Sequence, residues 1–242
     1  SQGLSQTGYR LPPAEVVEII DAQPEPSVSF SPSGQWMAFV HRDAMPGIED
    51  LARRMLQLAG TRIDPVLNAG FQTDFSRGIT LQSRESGQRF EIVPRSADVK
   101  ISGWSWAHDS RHLAWLTHRL STVISSWEFT PDGEHILCTL VPEERGPEPE
   151  LPLKPIGPNM QQSIGNTSPI RTYQDLLQNP YDEALFEYYA TTQLARLPVD
   201  GSRAELLGQP GMIMNASCSP DGNLLLVSVL TKPFSYLHPY SM

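Results

Sequence analysis

Apolar and polar residues fall along this chain in short runs, and the runs come in pairs separated by tight-turn residues. The clearest pair is Trp127 to Val141, where two runs flank Thr130-Pro131-Asp132-Gly133. Proline presets the first turn residue, aspartate tolerates the second, and glycine takes a positive φ. The stretch therefore predicts a β-hairpin. Its incoming strand puts Trp127 and Phe129 on one face. Its outgoing strand is apolar on both faces, with Ile136, Cys138 and Leu140 on one and Leu137 and Val141 on the other. Such a strand is covered on both sides, so Ile136 and Leu137 are both expected to be buried.

The pattern recurs. Val28–Val40 carries it around Ser31-Pro32-Ser33-Gly34, and Ser217–Val227 around Ser219-Pro220-Asp221-Gly222. Trp104–Leu116 repeats it around Ala107-His108-Asp109-Ser110, with proline and glycine lost. Repeated hairpins with a common turn predict an all-β fold, part of a β-propeller with about four blades and short helical insertions. A β-sandwich with several similar turns is the alternative. Taking Phe30, Trp106, Phe129 and Cys218 as equivalent, the steps are 76, 23 and 89 residues. A four-stranded blade takes ~40–50 residues. The long steps therefore carry insertions, and the short one lacks the outer strands of a blade, expected between Thr117 and His118.

Outer hairpins are expected where Ile79–Ser83 and Arg89–Val93 flank Glu85-Ser86-Gly87, and where Leu194–Leu197 and Ala204–Leu207 flank Asp200-Gly201. Leu56–Ile63 alternates and reads as one strand. Ile48–Arg53 reads as a helical turn or two. In the lead-in, residues 1–26, Pro12-Pro13 precede a short amphipathic helix with Val16, Val17 and Ile20 on one stripe. An insertion over residues 142–190 begins with prolines at 142, 147, 149, 152, 155 and 158, which make it extended. It ends in a helix capped by Asn179, with Pro180 first, Asp182 and Glu183 in the first turn, and Leu185, Tyr188 and Tyr189 as its apolar side.

Charge narrows the partners. With a net charge of -9 the chain offers no basic stripe for nucleic acid. No run approaches the ~20 apolar residues of a membrane helix, and no signal peptide is evident. Cys138 and Cys218 occupy similar hairpin positions and read as small strand residues. Few residues invite a chemical role. Gly103-Trp104-Ser105-Trp106-Ala107 superficially resembles a nucleophile elbow, but Ser105 lies within a strand rather than between strand and helix. His108 and His112 have metal-ligand spacing for a helix, yet straddle a turn. Glu143 and Glu144 read as a solvated turn, Pro152-x-x-Pro155 as a rigid crossing segment, and Asn166 and Asn215 as chance sequons, the second leading into a buried strand. The chain thus predicts no catalytic, cofactor-binding or metal-binding residue, and no cofactor.

Several longer motifs come in order: Tyr9–Glu15, Phe30–Gly34, Ile48–Arg53, Leu58–Pro65, Arg171–Leu177, Asp182–Ala190 and Lys232–Tyr236. Together they resemble the N-terminal region of glutamyl endopeptidases of the prolyl oligopeptidase family, serine peptidases of bacteria and plant chloroplasts. The resemblance implies that residues 1–242 are the N-terminal part of a propeller that gates peptide access to a C-terminal α/β-hydrolase domain. It implies that the Ser-Asp-His triad lies in that domain, outside this chain, with cleavage after glutamate. It also implies that further blades follow Met242, and that the location is extracytoplasmic in bacteria or the chloroplast stroma in plants. The competing class is a stand-alone propeller that binds proteins and has no enzymatic activity. That reading expects a closed fold from this chain alone.

Overall fold

The computed structural model describes residues 12–92, 101–116, 120–153 and 173–242. Four hairpins built on the repeated turn organise it. The first joins β1 (Ser27–Phe30) to β2 (Trp36–Arg42), antiparallel, with Phe30 opposite Met37. After β2 the chain leaves to form α2 (Ile48–Leu51) and a separate antiparallel sheet of β3 (Leu56–Leu58), β4 (Thr61–Asp64) and β5 (Ala69–Gly70). It returns as β6 (Ser76–Ser83) and β7 (Arg89–Ile92), completing a four-stranded meander in the order β1-β2-β6-β7. The second hairpin, β8 (Ser102–Trp106) with β9 (Leu113–Leu116), stands as a pair. The expected gap at Thr117 and His118 lies outside the described residues. The third, β10 (Glu128–Phe129) with β11 (His135–Leu140), continues after the second insertion as β12 (Thr192–Pro198) and β13 (Glu205–Gly211), a second four-stranded meander. The fourth pairs β14 (Ile213–Cys218) with β15 (Leu225–Val229). The fold is all-β, a partial propeller; among the described residues it has two four-stranded antiparallel blades and two inner hairpins, with helices in the lead-in, α1 (Ala14–Asp21), and in the insertions, which hold α2 and α3 (Pro180–Ala190).

The turns show why the repeat is real. In each, the first residue's N–H donates across the hairpin to the residue five further on: Ser31 to Trp36, Ala107 to His112, Thr130 to His135 and Ser219 to Leu224, at 2.9–3.0 Å. The fourth residue has a positive φ every time: Gly34 +69°, Ser110 +60°, Gly133 +72° and Gly222 +73°. In the second copy serine adopts the left-handed conformation that glycine takes elsewhere, and its Oγ accepts the Ser33 N–H of the first turn at 2.8 Å. That bond compensates a conformation unfavourable to a residue with a Cβ.

Three expectations change. Leu56–Ile63 is a hairpin, β3 to β4, not one strand: Ala59 (φ +53°) and Gly60 (φ +81°) make a two-residue turn with both central residues left-handed. Alanine in the first place disguised it. In β11, Leu137 and Cys138 are buried on opposite faces, but Ile136, near the hairpin end, is only half-buried. The strand in which Asn215 stands, β14, is only half-buried from Ala216 to Cys218, and its hairpin partner β15 is exposed at all five residues, with Leu226 at 71%. β1 is likewise exposed, with Phe30 at 55%. Both strands belong to the first and last hairpins of the set, where no neighbouring sheet among the described residues covers them.

The largest apolar cluster lies outside the blades. In each meander the insertion leaves after the second strand, at the end opposite the repeated turn. The two insertions then pack on each other. Leu58, Ala59 and Ile63 of the first meet Leu185, Phe186, Tyr189 and Ala190 of α3, with Leu177, Val123, Ile124 and Met212. Helix α3 begins as expected, Asn179 Oδ1 accepting the Asp182 N–H at 2.9 Å. Its largest fully buried side chain is Phe186, beyond the expected stripe, and its ring meets Phe234 and Tyr240 at 5.5 and 5.7 Å. Helix α1 is amphipathic but buries no residue. No helix among the described residues is long and apolar enough to cross a membrane.

Candidate functional site

The strand pairing removes the serine candidate. Ser105 sits in β8 opposite Ala114, and its Oγ donates to the Trp106 carbonyl at 3.2 Å. No histidine adjoins it in that pairing, and no helix follows. His108 and His112 are both exposed, and His112 Nδ1 lies 3.3 Å from Asp109, its own turn's carboxylate. Among the described residues no group of three His, Cys, Asp or Glu could hold a metal. Glu143 and Glu144 are exposed, Asn215 is an exposed strand residue, and Asn166 and Pro155 lie outside the described residues. Cys138 and Cys218 are free thiols; burial pushes Cys138 up to about 12 and raises Cys218.

The turn carboxylates are held by their own hairpins. Asp132 accepts from Thr130 Oγ1 at 2.6 Å and from the Glu134 N–H at 2.9 Å, which keeps it below the usual carboxylate range. In the fourth copy Asp221 accepts from Ser219, from the Asn223 side chain and from the Asn223 N–H, and falls to about 2. Hydrogen bonding to the charged form explains both shifts. These groups stabilise turns.

The described surface does contain a cavity of about 580 Å³ where the two insertions and the C-terminal segment meet. Gly60, Thr61 and Arg62 come from the β3–β4 hairpin, Gly70 and Phe71 from the end of β5, Tyr173, Gln174 and Asp175 from the segment before α3, and Pro239 from the C-terminal segment. Arg62 Nε donates to Asp175 Oδ2 at 2.9 Å, with Arg62 half exposed and Asp175 14% exposed. The Gly60 N–H donates to the Asp175 carbonyl at 2.8 Å, and the Tyr240 N–H to the Ala59 carbonyl at 2.9 Å. Asp175 itself has a φ of +59°. The Tyr173 ring meets His238 edge-on at 5.5 Å.

A buried ion pair fixes one wall. Asp64 is fully buried; its Oδ1 accepts the N–H groups of Val66 and Leu67 at 3.0 and 3.1 Å, and its Oδ2 accepts from Arg53. Arg53 also donates to the Gln72 carbonyl, and its guanidinium lies 5.0 Å from the Phe71 ring and 5.2 Å from Phe75. A charge-assisted bond and ring stacking thus hold Phe71 in place. A parallel strap ties down the Pro-rich segment. Arg145 donates to Asn68 Oδ1 at 2.5 Å and stacks on Tyr188, while Arg54 pairs with Glu148 at 2.9 Å. Glu148 also accepts from Tyr189, which burial and this bond push up to about 12. Sequence reading missed this cavity. The positive-φ Gly60 was its one local sign, because its other walls are far apart along the chain.

No family model matches the chain. A rice (Oryza sativa subsp. japonica) protein named probable glutamyl endopeptidase, chloroplastic, is 32% identical over 269 residues, covering 96% of this chain and 28% of its own length. An Arabidopsis thaliana protein of the same name is 33% identical with the same coverage. The chain therefore spans under a third of the length of these relatives. The aligned span of 269 residues exceeds the chain's 242, so the relatives carry segments that this chain lacks. Among solved structures, Pyrococcus horikoshii acylaminoacyl peptidase aligns over 92% of this chain and 30% of its own, at 11% identity and a TM-score of 0.43. Over nearly its whole length the chain is thus similar in sequence to one part of plant proteins named probable glutamyl endopeptidase.

Proposed function

We propose that residues 1–242 are the N-terminal propeller portion of a serine endopeptidase that cleaves after glutamate, and that they gate peptide access to a hydrolase domain carried elsewhere in the polypeptide. In this reading residues 1–26 are a helical lead-in and 142–190 an insertion. The observation that carries it is the match over 96% of this chain to only 28% of proteins named glutamyl endopeptidases. The repeated hairpins support it. A propeller over a hydrolase mouth admits peptides and excludes folded proteins. It also closes a water-poor site around acyl transfer.

The test compares one glutamate-containing sequence in two contexts in the full-length protein. As a short peptide it should be cleaved; within a stably folded domain it should resist until that domain is unfolded. Equal cleavage of both would remove the gating role. A 1–242 polypeptide that acylates in a burst with a serine-directed probe would overturn the assignment of chemistry to another domain. The alternative, a stand-alone protein-binding module, expects its apolar strands to be covered. The bare β15, with Leu226 and Val229 at least half exposed, favours the first reading.

A further inference from the structure

We infer that the cavity between the insertions is a binding site for an uncharged, extended stretch of peptide main chain. Two polar partners of opposite character line it. Arg62 has only donors, and Asp175 as a carboxylate has only acceptors. Their contact at 2.9 Å sets them side by side, and the pair is formally neutral. A peptide main chain presents a carbonyl and an N–H in the same alternation. It can accept from the outer guanidinium nitrogens and donate to the carboxylate without adding charge. A free carboxylate ligand would meet Arg62 but stand against Asp175, so the neutral ligand fits better.

The walls agree with this ligand. Phe71 and Pro239 give apolar surface for side chains, and Thr61, Tyr173 and Gln174 add further hydrogen-bonding groups. The volume of about 580 Å³ falls in the range of ~300–1,000 Å³ that small-ligand sites occupy. The floor is preorganised. The hairpin tip is fixed by hydrogen bonds with two remote segments, the Gly60 N–H donating to the Asp175 carbonyl and the Tyr240 N–H to the Ala59 carbonyl, and Phe71 is held by Arg53. One lining residue with a side chain, Asp175, sits at positive φ. Strained backbone of this kind persists where the surroundings over-determine it, and it concentrates at ligand clamps. The site needs no gating role, since binding is separate from turnover.

The experiment is photo-crosslinking of the full-length protein with an end-blocked alanine tetrapeptide carrying one benzoylphenylalanine, mapped by mass spectrometry. Crosslinks are expected in residues 60–71 and 173–175, and excess unlabelled end-blocked tetraalanine should suppress them. Asp175→Gly and Arg62→Gln should each lower labelling at least about tenfold, the effect of losing a hydrogen bond to a charged group. Asp175→Gly should keep its melting temperature, because glycine accepts a φ of +59° without strain. Crosslinks that map only elsewhere, labelling unchanged in both variants, or competition by acetylglutamate rather than tetraalanine would each overturn the inference. If Asp175→Gly fails to fold, the wild-type map and Arg62→Gln decide. Lost discrimination against folded substrates with cavity labelling intact would defeat the gating reading and leave this one standing.

Discussion

Gly60→Ala tests how tightly the C-terminal segment closes on the β3–β4 hairpin. A Cβ at Gly60 would stand 2.5 Å from Pro239 Cβ and 2.9 Å from its Cα and Cγ. Contacts that short force backbone or ring to move, since neither neighbour is the flexible end of a long side chain. The substitution also places a side chain at φ +81°. The backbone part costs about 1–2 kcal/mol and the overpacking about 1–3 kcal/mol. Gly201 separates the two: its φ is +82°, and nothing lies within 4 Å of its would-be Cβ. Gly201→Ala therefore carries the backbone cost alone. In urea denaturation Gly60→Ala should lose about 1–3 kcal/mol more than Gly201→Ala, and adding Pro239→Gly should narrow the gap by removing the nearest atoms. Equal losses for the two alanine variants, or no narrowing, would show that Pro239 does not close over the hairpin and that the cavity lacks this wall.

Three further outcomes follow from the packing. Arg53→Met should cost about 3–5 kcal/mol by chemical denaturation, because it leaves the fully buried Asp64 without its cation; a loss under 1 kcal/mol would deny the pair that role. Thr130→Val removes the strongest influence holding Asp132 low, and NMR titration should show that carboxyl rising toward its ordinary value. A depressed carboxyl contributes stability above its unfolded pKa and loses it as pH falls through the folded one. The variant's deficit, about 1 kcal/mol near neutral pH, should therefore shrink as pH drops below the ordinary carboxylate range, and a constant deficit would contradict the assignment. A polypeptide of residues 1–242 alone should self-associate through β15, whose five residues are uncharged and exposed. Leu226→Lys should reduce the association seen by light scattering without lowering the melting temperature, and unchanged scattering would point to another surface.

The repeated hairpins were legible because their causes are local. A hydroxyl or alanine, two turn formers and a residue at positive φ recur at four places, and apolar alternation sets each register. The same locality made Asn179 and Pro180 readable as a helix start. Ala59-Gly60 was misread because alanine is a poor signal for a positive φ, and tertiary hydrogen bonds to Ala59 and Gly60 hold it there. Burial was overestimated for Ile136 and for the strand at Asn215, since an apolar strand states what it needs covered and not what covers it. The packing of α3 on the first insertion, and the cavity that Arg62, Asp175 and Pro239 share, were beyond sequence reading. Those residues carry no common pattern and stand more than 100 positions apart from Arg62 to Asp175. Sequence by itself determined the hairpins, the turns and the kinship, all products of short-range backbone preference and matched residues. Tertiary structure alone decided that the two insertions meet and leave a polar cavity between them, because long-range packing has no local signature.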